Sequence, residues 1–89
     1  MKVNISVYSL YDQHIRKNPN SHYFDRDTLR FFGESFSTMN VLKHTAEIKD
    51  ISGEMHTCYV LSKLQRKHPM GARRTHDYFD INTFKHVIV

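Results

Sequence analysis

Lys63, Arg66, Lys67, His68, Arg73, Arg74 and His76 place five permanent cations and two histidines in one stretch that holds no Asp or Glu. Arg forks and Lys point charges suit phosphate oxygens, and counterion release rewards their contact with a polyanion. Tyr59, Tyr78 and Phe79 flank the stretch. Aromatic faces next to cations can stack on unpaired bases. The same charges would serve equally well against an acidic protein surface, or simply as a solvated loop that keeps a small protein soluble. Residue types and spacing leave these three open. The formal net charge is +4, so the chain outside this stretch carries one net negative charge.

Other groupings point to chemistry less well. His22 with Asp25 and Asp27 has the makings of a metal or acid–base cluster, but each carboxylate has a structural use. Asp25 is placed as a helix N-cap, Asp27 complements the helix dipole, and Phe24 with Leu29 forms a hydrophobic staple. His56 and Cys58 lie two apart and share a strand face, yet no third group orients the histidine and no oxyanion hole is evident. A lone cysteine is more often a small buried hydrophobe. The seven histidines are spaced eight to twenty-two residues apart, with no cysteine pair and no His-Glu-x-x-His, so no structural zinc is expected. Three scattered glycines exclude a glycine-rich phosphate loop. No catalytic residue, metal or cofactor is expected.

The elements that must position these residues follow from periodicity. Residues 2–8 alternate, with Val3, Ile5 and Val7 on one side, and predict a half-buried strand. Residues 11–21, polar and ending in Asn18-Pro19-Asn20-Ser21, predict a loop. Leu29, Phe32, Phe36 and Met39 recur at helical spacing and predict a helix over about 26–39, with Gly33 costing about 1 kcal/mol inside it. Residues 41–49 and 55–64 predict two strands joined by a turn at 50–54, where Gly53 can take positive φ. A basic loop around His68-Pro69-Met70-Gly71 separates these from a last hairpin, 74–81 and 84–89, turning at Asn82-Thr83. The fold class is α+β, one helix on an antiparallel sheet of four to five strands.

At 89 residues, 39% hydrophobic and 25% charged, the chain has the composition of one globular domain, residues 1–89. A chain this short buries only about 60–65% of its unfolded surface, which leaves little room for a closed active site. The single cysteine excludes an intrachain disulfide and fits a reducing, cytoplasmic compartment. No signal-peptide pattern and no apolar run of spanning length is present, so no membrane partner is expected. Residues 84–89, Phe-Lys-His-Val-Ile-Val, form an apolar strand that could pair with a second copy if it lies at a sheet edge, giving a homodimer.

Two segments carry a resemblance. Residues 20–33, with Phe24-Asp25-Arg26-Asp27-Thr28-Leu29-Arg30-Phe31-Phe32-Gly33, and residues 68–80, with an Arg pair followed by Tyr78-Phe79-Asp80, resemble the hallmark stretches of a family of small proteins of tailed bacteriophages and prophages. In that family the first stretch reads like Ser-Pro-Asp-Thr-Met-Arg-Phe-Phe or Asp-Lys-Asp-Thr-Met-Arg-Phe-Phe, and the likeness spans about residues 18–81. It carries over no catalytic residue or cofactor. It implies an accessory role in the cytoplasm of a bacterial host. The expectation is a non-enzymatic protein that binds and inhibits a host protein or nucleoprotein complex, such as a nucleic-acid-guided defence complex, in the manner of an anti-CRISPR. The alternative is a small basic DNA- or RNA-binding domain.

Overall fold

The first element begins at Ser6, whose hydroxyl accepts a hydrogen bond from the backbone N–H of Ser9 at 3.1 Å and caps helix α1, Val7–Lys17. Val7, Leu10, Tyr11, His14 and Ile15 stand at three- and four-residue spacing along it and face the core. The helix ends at Asn18, whose own N–H and side-chain amide both return to the His14 carbonyl. Arg16 and Lys17 in the last turn complement its dipole. The computed structural model describes residues 2–21, 24–25, 30–31, 38–65 and 71–89.

Strands β1, Phe24–Asp25, and β2, Arg30–Phe31, pair antiparallel as a two-stranded unit. The main sheet has five strands: β3, Met39–Val41; β4, Ala46–Lys49; β5, Met55–Gln65; β6, Arg73–Asp80; and β7, His86–Val87. All its pairings are antiparallel. β5 is the axis, with β6 along one side and β3 and β4 in succession along the other; β7 lies outside β6 at the edge.

The α+β class is as expected, one helix against a five-stranded antiparallel sheet, but the helix is a different segment. Residues 7–17, expected to end a strand and enter a loop, form α1. The helix expected over 26–39 is overturned at Arg30–Phe31, which is β2, and at Met39, which opens β3; residues 26–29 and 32–37 lie outside the described residues. A Phe-Phe-Gly run has weak helix propensity while Phe is favoured in strands, so backbone pairing wins at Phe31. The strand expected over 41–49 is also interrupted. Five steps from Val41 to Ala46 oppose only three from Leu61 to Cys58, so two extra residues bulge from the ladder. There Lys2 bridges His44, and the Val3 N–H bonds the Lys43 carbonyl at 2.6 Å.

Leu10, Tyr11, Met39, Leu61, Phe79 and Phe84 form the core between α1 and the sheet, with Ile5, Val7, Ile15, Val41 and Tyr59 packed around it. Each fully buried Leu or Phe side chain contributes about 1.5–3 kcal/mol. The opposite face of the sheet also carries buried side chains: Cys58, Val60, Ser62 and Val87.

The turn after β6 is the clasp between helix and sheet. Asp80 Oδ1 accepts from the N–H groups of Asn82 at 2.7 Å and Thr83 at 3.1 Å, and Phe84 follows at φ 57°, a left-handed conformation unusual for a bulky residue. Three successive carbonyls of this turn are taken by the end of α1. Lys17 Nζ donates to Asn82 at 2.8 Å, Asn18 Nδ2 to Thr83 at 3.1 Å and His14 Nδ1 to Phe84 at 2.5 Å. The Phe84 ring is thereby held in the core beneath the Lys17 ammonium, 5.0 Å from the ring centre.

Candidate functional site

Among the described residues, the cations of the basic stretch do not gather on one face. Along β6, successive side chains alternate, so Arg74 and His76 share the face of Ser62 while Arg73 shares that of Lys63. Lys63 is half-buried, with its ammonium 2.7 Å from the Asp77 carboxylate. Arg73, Arg74 and His76 are exposed. Arg74 donates to the Ser62 hydroxyl at 3.3 Å. Arg66, Lys67 and His68 lie outside the described residues. Phe79, which could stack on bases only if exposed, is fully buried in the core, and Tyr59 packs against that core beside Phe84 at 5.6 Å between ring centres. These two are therefore structural, and Tyr78 is half-buried.

Cys58 is also settled by burial. It has no exposed surface, and its thiol donates to the His56 carbonyl at a long 3.7 Å. Desolvation, with the negative charges of Asp80 and Glu47 nearby, pushes its pKa up to about 11. A thiol held protonated at neutral pH is a poor nucleophile, and both His56 ring nitrogens face Asp50 and Asp80 rather than the thiol.

At the other end of β5 stands a cluster that sequence spacing did not single out. The turn at 50–54 closes with Asp50 N–H on the Glu54 carbonyl at 2.8 Å, and Gly53 takes φ 93°. Asp50 Oδ1 accepts from Ser52 N–H and Glu54 N–H, both at 2.9 Å, and from the Ser52 hydroxyl at 2.6 Å. Its second oxygen lies 2.6 Å from His56 Nε2, while His56 Nδ1 lies 2.9 Å from Asp80 Oδ2. Hydrogen bonds from Ser52 first, then from His56, hold the Asp50 carboxyl well below the usual carboxylate range. The hydrogen bonds to Asp80 and Asp50 raise the His56 pKa. Burial alone would raise the Asp80 pKa, but the hydrogen bonds from His56, Asn82 and Thr83 outweigh it and keep that carboxyl low. The pattern is an imidazolium bridging two carboxylates, which ties the β4–β5 turn to the end of β6.

This cluster lines a cavity of about 490 Å³ whose other walls include Ile51, Met55, Thr83, Lys85 and Ile88. Asp50, Glu54 and His56 each present a ligand atom, and these atoms lie within 4.8 Å of one another. The signal in sequence was available but dispersed. Asp50, Glu54 and His56 are close in the chain, whereas Asp80 joins them only through the register that sets Cys58 opposite Asp80.

Among the described residues no helix is long and apolar enough to cross a membrane. No family model, curated protein or solved structure matches the chain.

Proposed function

We propose that the chain is a non-catalytic accessory protein that docks on a nucleic-acid-bearing host machine, such as a nucleic-acid-guided defence complex, and inhibits it by occupying its surface. The docking element is the loop end of the β5–β6 hairpin, where Gln65 pairs with Arg73. The observation that carries this reading is the placement of Arg73 and Arg74: both are exposed at that end, on opposite faces of one two-stranded ribbon. A ribbon with a cation on each face suits entry between two rows of phosphates, because a two-stranded β-ribbon fits the major groove of a duplex. The sequence resemblance to small phage and prophage proteins supports reading this action as one in the cytoplasm of a bacterial host. The same cations on both faces also favour a second reading, direct binding of free DNA or RNA.

The two readings part in a pull-down of tagged protein from bacterial lysate, with and without nuclease and at two salt concentrations. The host-machine reading expects a defined protein partner that persists after nuclease treatment. Nucleic acid alone, lost at the higher salt, sinks that reading in favour of the second. For either, Arg73→Gln with Arg74→Gln weakens binding at all sequences alike and lowers the salt slope by about two. Binding undiminished in the double variant excludes the hairpin end as the docking element.

A further inference from the structure

β6 sorts the charge of its hairpin by face. Arg74, His76 and Tyr78 follow one another at two-residue spacing on the face of Ser62, the face turned away from the core under α1. The register sets Leu64 beside Arg74, Ser62 beside His76 and Val60 beside Tyr78, and Asn40 of β3 flanks Ser62 on its other side. Arg74, His76 and Asn40 are exposed, and Tyr78 is half-buried. None of these residues is acidic. Asp77 belongs to the opposite face, where it holds Lys63, and Asp80, beyond Tyr78, is held by His56. Arg74 is steadied by its one bond to the buried Ser62 hydroxyl at 3.3 Å, which commits a single donor of the guanidinium fork.

We propose that this face of the sheet binds a single strand of nucleic acid, with Arg74 on a phosphate and the rings of His76 and Tyr78 each against a base. Charge complementarity names the partner: an acid-free surface with a cation at one end suits a polyanion. The aromatic rings select the unpaired form, because only bases freed from pairing offer their faces for stacking on a sheet. The two rings stand roughly 7 Å apart along the strand, about two of the ~3.4 Å steps between stacked nucleotides, so each takes its own base. A duplex does not fit the same face. At the level of Ser62 and His76 the sheet is three strands wide, β3, β5 and β6. Their outer backbones are about 10 Å apart, which with side chains is too broad for a major groove about 12 Å wide. Beyond the Met39–Lys63 pair the sheet narrows to the two-stranded ribbon of the hairpin end. The proposal deepens the docking reading and rests on its premise that the hairpin meets nucleic acid: the narrow end suits paired strands, and the broad face takes an unpaired one.

The test is fluorescence anisotropy of a labelled oligothymidylate about ten nucleotides long, titrated with the full chain at several salt concentrations, beside a duplex of the same length. Saturable binding of the single strand is expected. Arg74→Gln weakens it and lowers the salt slope by about 0.7. Tyr78→Leu weakens it about tenfold with the slope unchanged, because stacking releases no counterion, and Tyr78→Phe, which keeps the ring, binds as the parent does. Any binding of the duplex is indifferent to Tyr78→Leu. Arg16→Gln removes an exposed cation on α1, against the other face, and leaves affinity within about twofold. His76→Ala changes an exposed side chain, so the fold is retained, and costs about fivefold. If circular dichroism finds Tyr78→Leu unfolded, His76→Ala decides. No saturable binding of the single strand, affinity equal to the parent in the deciding variant, or an equal loss on strand and duplex in Tyr78→Leu overturns the proposal. The docking reading fails separately, through undiminished capture by the Arg73→Gln, Arg74→Gln variant in the lysate pull-down.

Discussion

His14 is the residue whose environment most constrains its chemistry. A carbonyl oxygen can only accept, so the 2.5 Å contact with Phe84 assigns the proton to Nδ1. Its ring stands edge-on to Phe79 with ring centres 5.5 Å apart. Burial lowers its pKa to about 4, against the opposing pull of the Phe84 carbonyl and with added repulsion from His86. Lys85 lines the same pocket and adds a second positive neighbour. Because the folded pKa lies below the unfolded value of 6.5, the unfolded chain binds more protons between the two. Stability is therefore full above about pH 6.5 and falls as pH drops toward 4. The ceiling on this loss is about 3 kcal/mol. Asp50 and Asp80, with lowered values, lose stability only below the carboxylate range, and raised His56 loses its share only above pH 6.5. Among these four groups, the window from 6.5 to 4.5 therefore belongs to His14. Urea denaturation across it is expected to show a falling midpoint in the parent and a nearly flat one in His14→Gln. Equal slopes in the two would refute the assignment.

At the scale of elements, the chain misleads where two periodicities overlap. Val3, Ile5 and Val7 alternate as a strand does, while Val7, Leu10, Tyr11, His14 and Ile15 form a helical stripe. The stripe is hidden because its fourth member is a histidine, and only the clasp with Phe84 makes that histidine a core residue. Ser6 decides between the two patterns, since its hydroxyl starts the helix. Ser6→Ala is expected to cost about 1 kcal/mol and Ser6→Asp to be neutral, read as denaturation midpoints; if alanine is as stable as serine, the cap contributes nothing. The second half was legible because each turn announces itself chemically. Gly53 takes the positive φ expected of it, and β4, β5, β6 and β7 fall within the segments 41–49, 55–64, 74–81 and 84–89 to within a residue. The bulge between Val41 and Ala46 was not legible, because it depends on Lys2 and Val3 pairing from the other end of the chain. The candidate cluster was half legible for the same reason. Asp50, Glu54 and His56 are neighbours in sequence, but Asp80 is brought in by strand register, and Lys63 is drawn out of the basic stretch by Asp77.

Across the whole molecule, charge and stability are distributed along one axis, β5. Exposed arginines mark the hairpin end, and the carboxylate–histidine cluster marks the other. Between them β5 is hydrogen-bonded on both flanks, to β6 on one side and to β3 and β4 on the other. The core lies over its middle, where Leu61 and the adjacent Phe79 are fully buried. Opening β5 therefore breaks two ladders and empties the core at once, so it coincides with global unfolding. β7 is different. It has two residues, lies at the sheet edge, and runs into the exposed Ile88 and Val89. Its release leaves the β5–β6 ladder intact, and one tie back to the body, the Ile51 N–H on the Ile88 carbonyl at 2.8 Å, opens with it. Regions of few buried contacts open at free energies well below the global value. Native-state hydrogen exchange is expected to reflect this order. The slowest amides are those of Val60, Leu61 and Phe79, with free energies that match denaturant unfolding, while those of Ile51 and Val87 exchange at least tenfold faster through local opening. Protection at Ile51 and Val87 equal to that at Leu61 would mean that the edge belongs to the same cooperative unit as the axis, and that a second contact not accounted for by β7 holds it there.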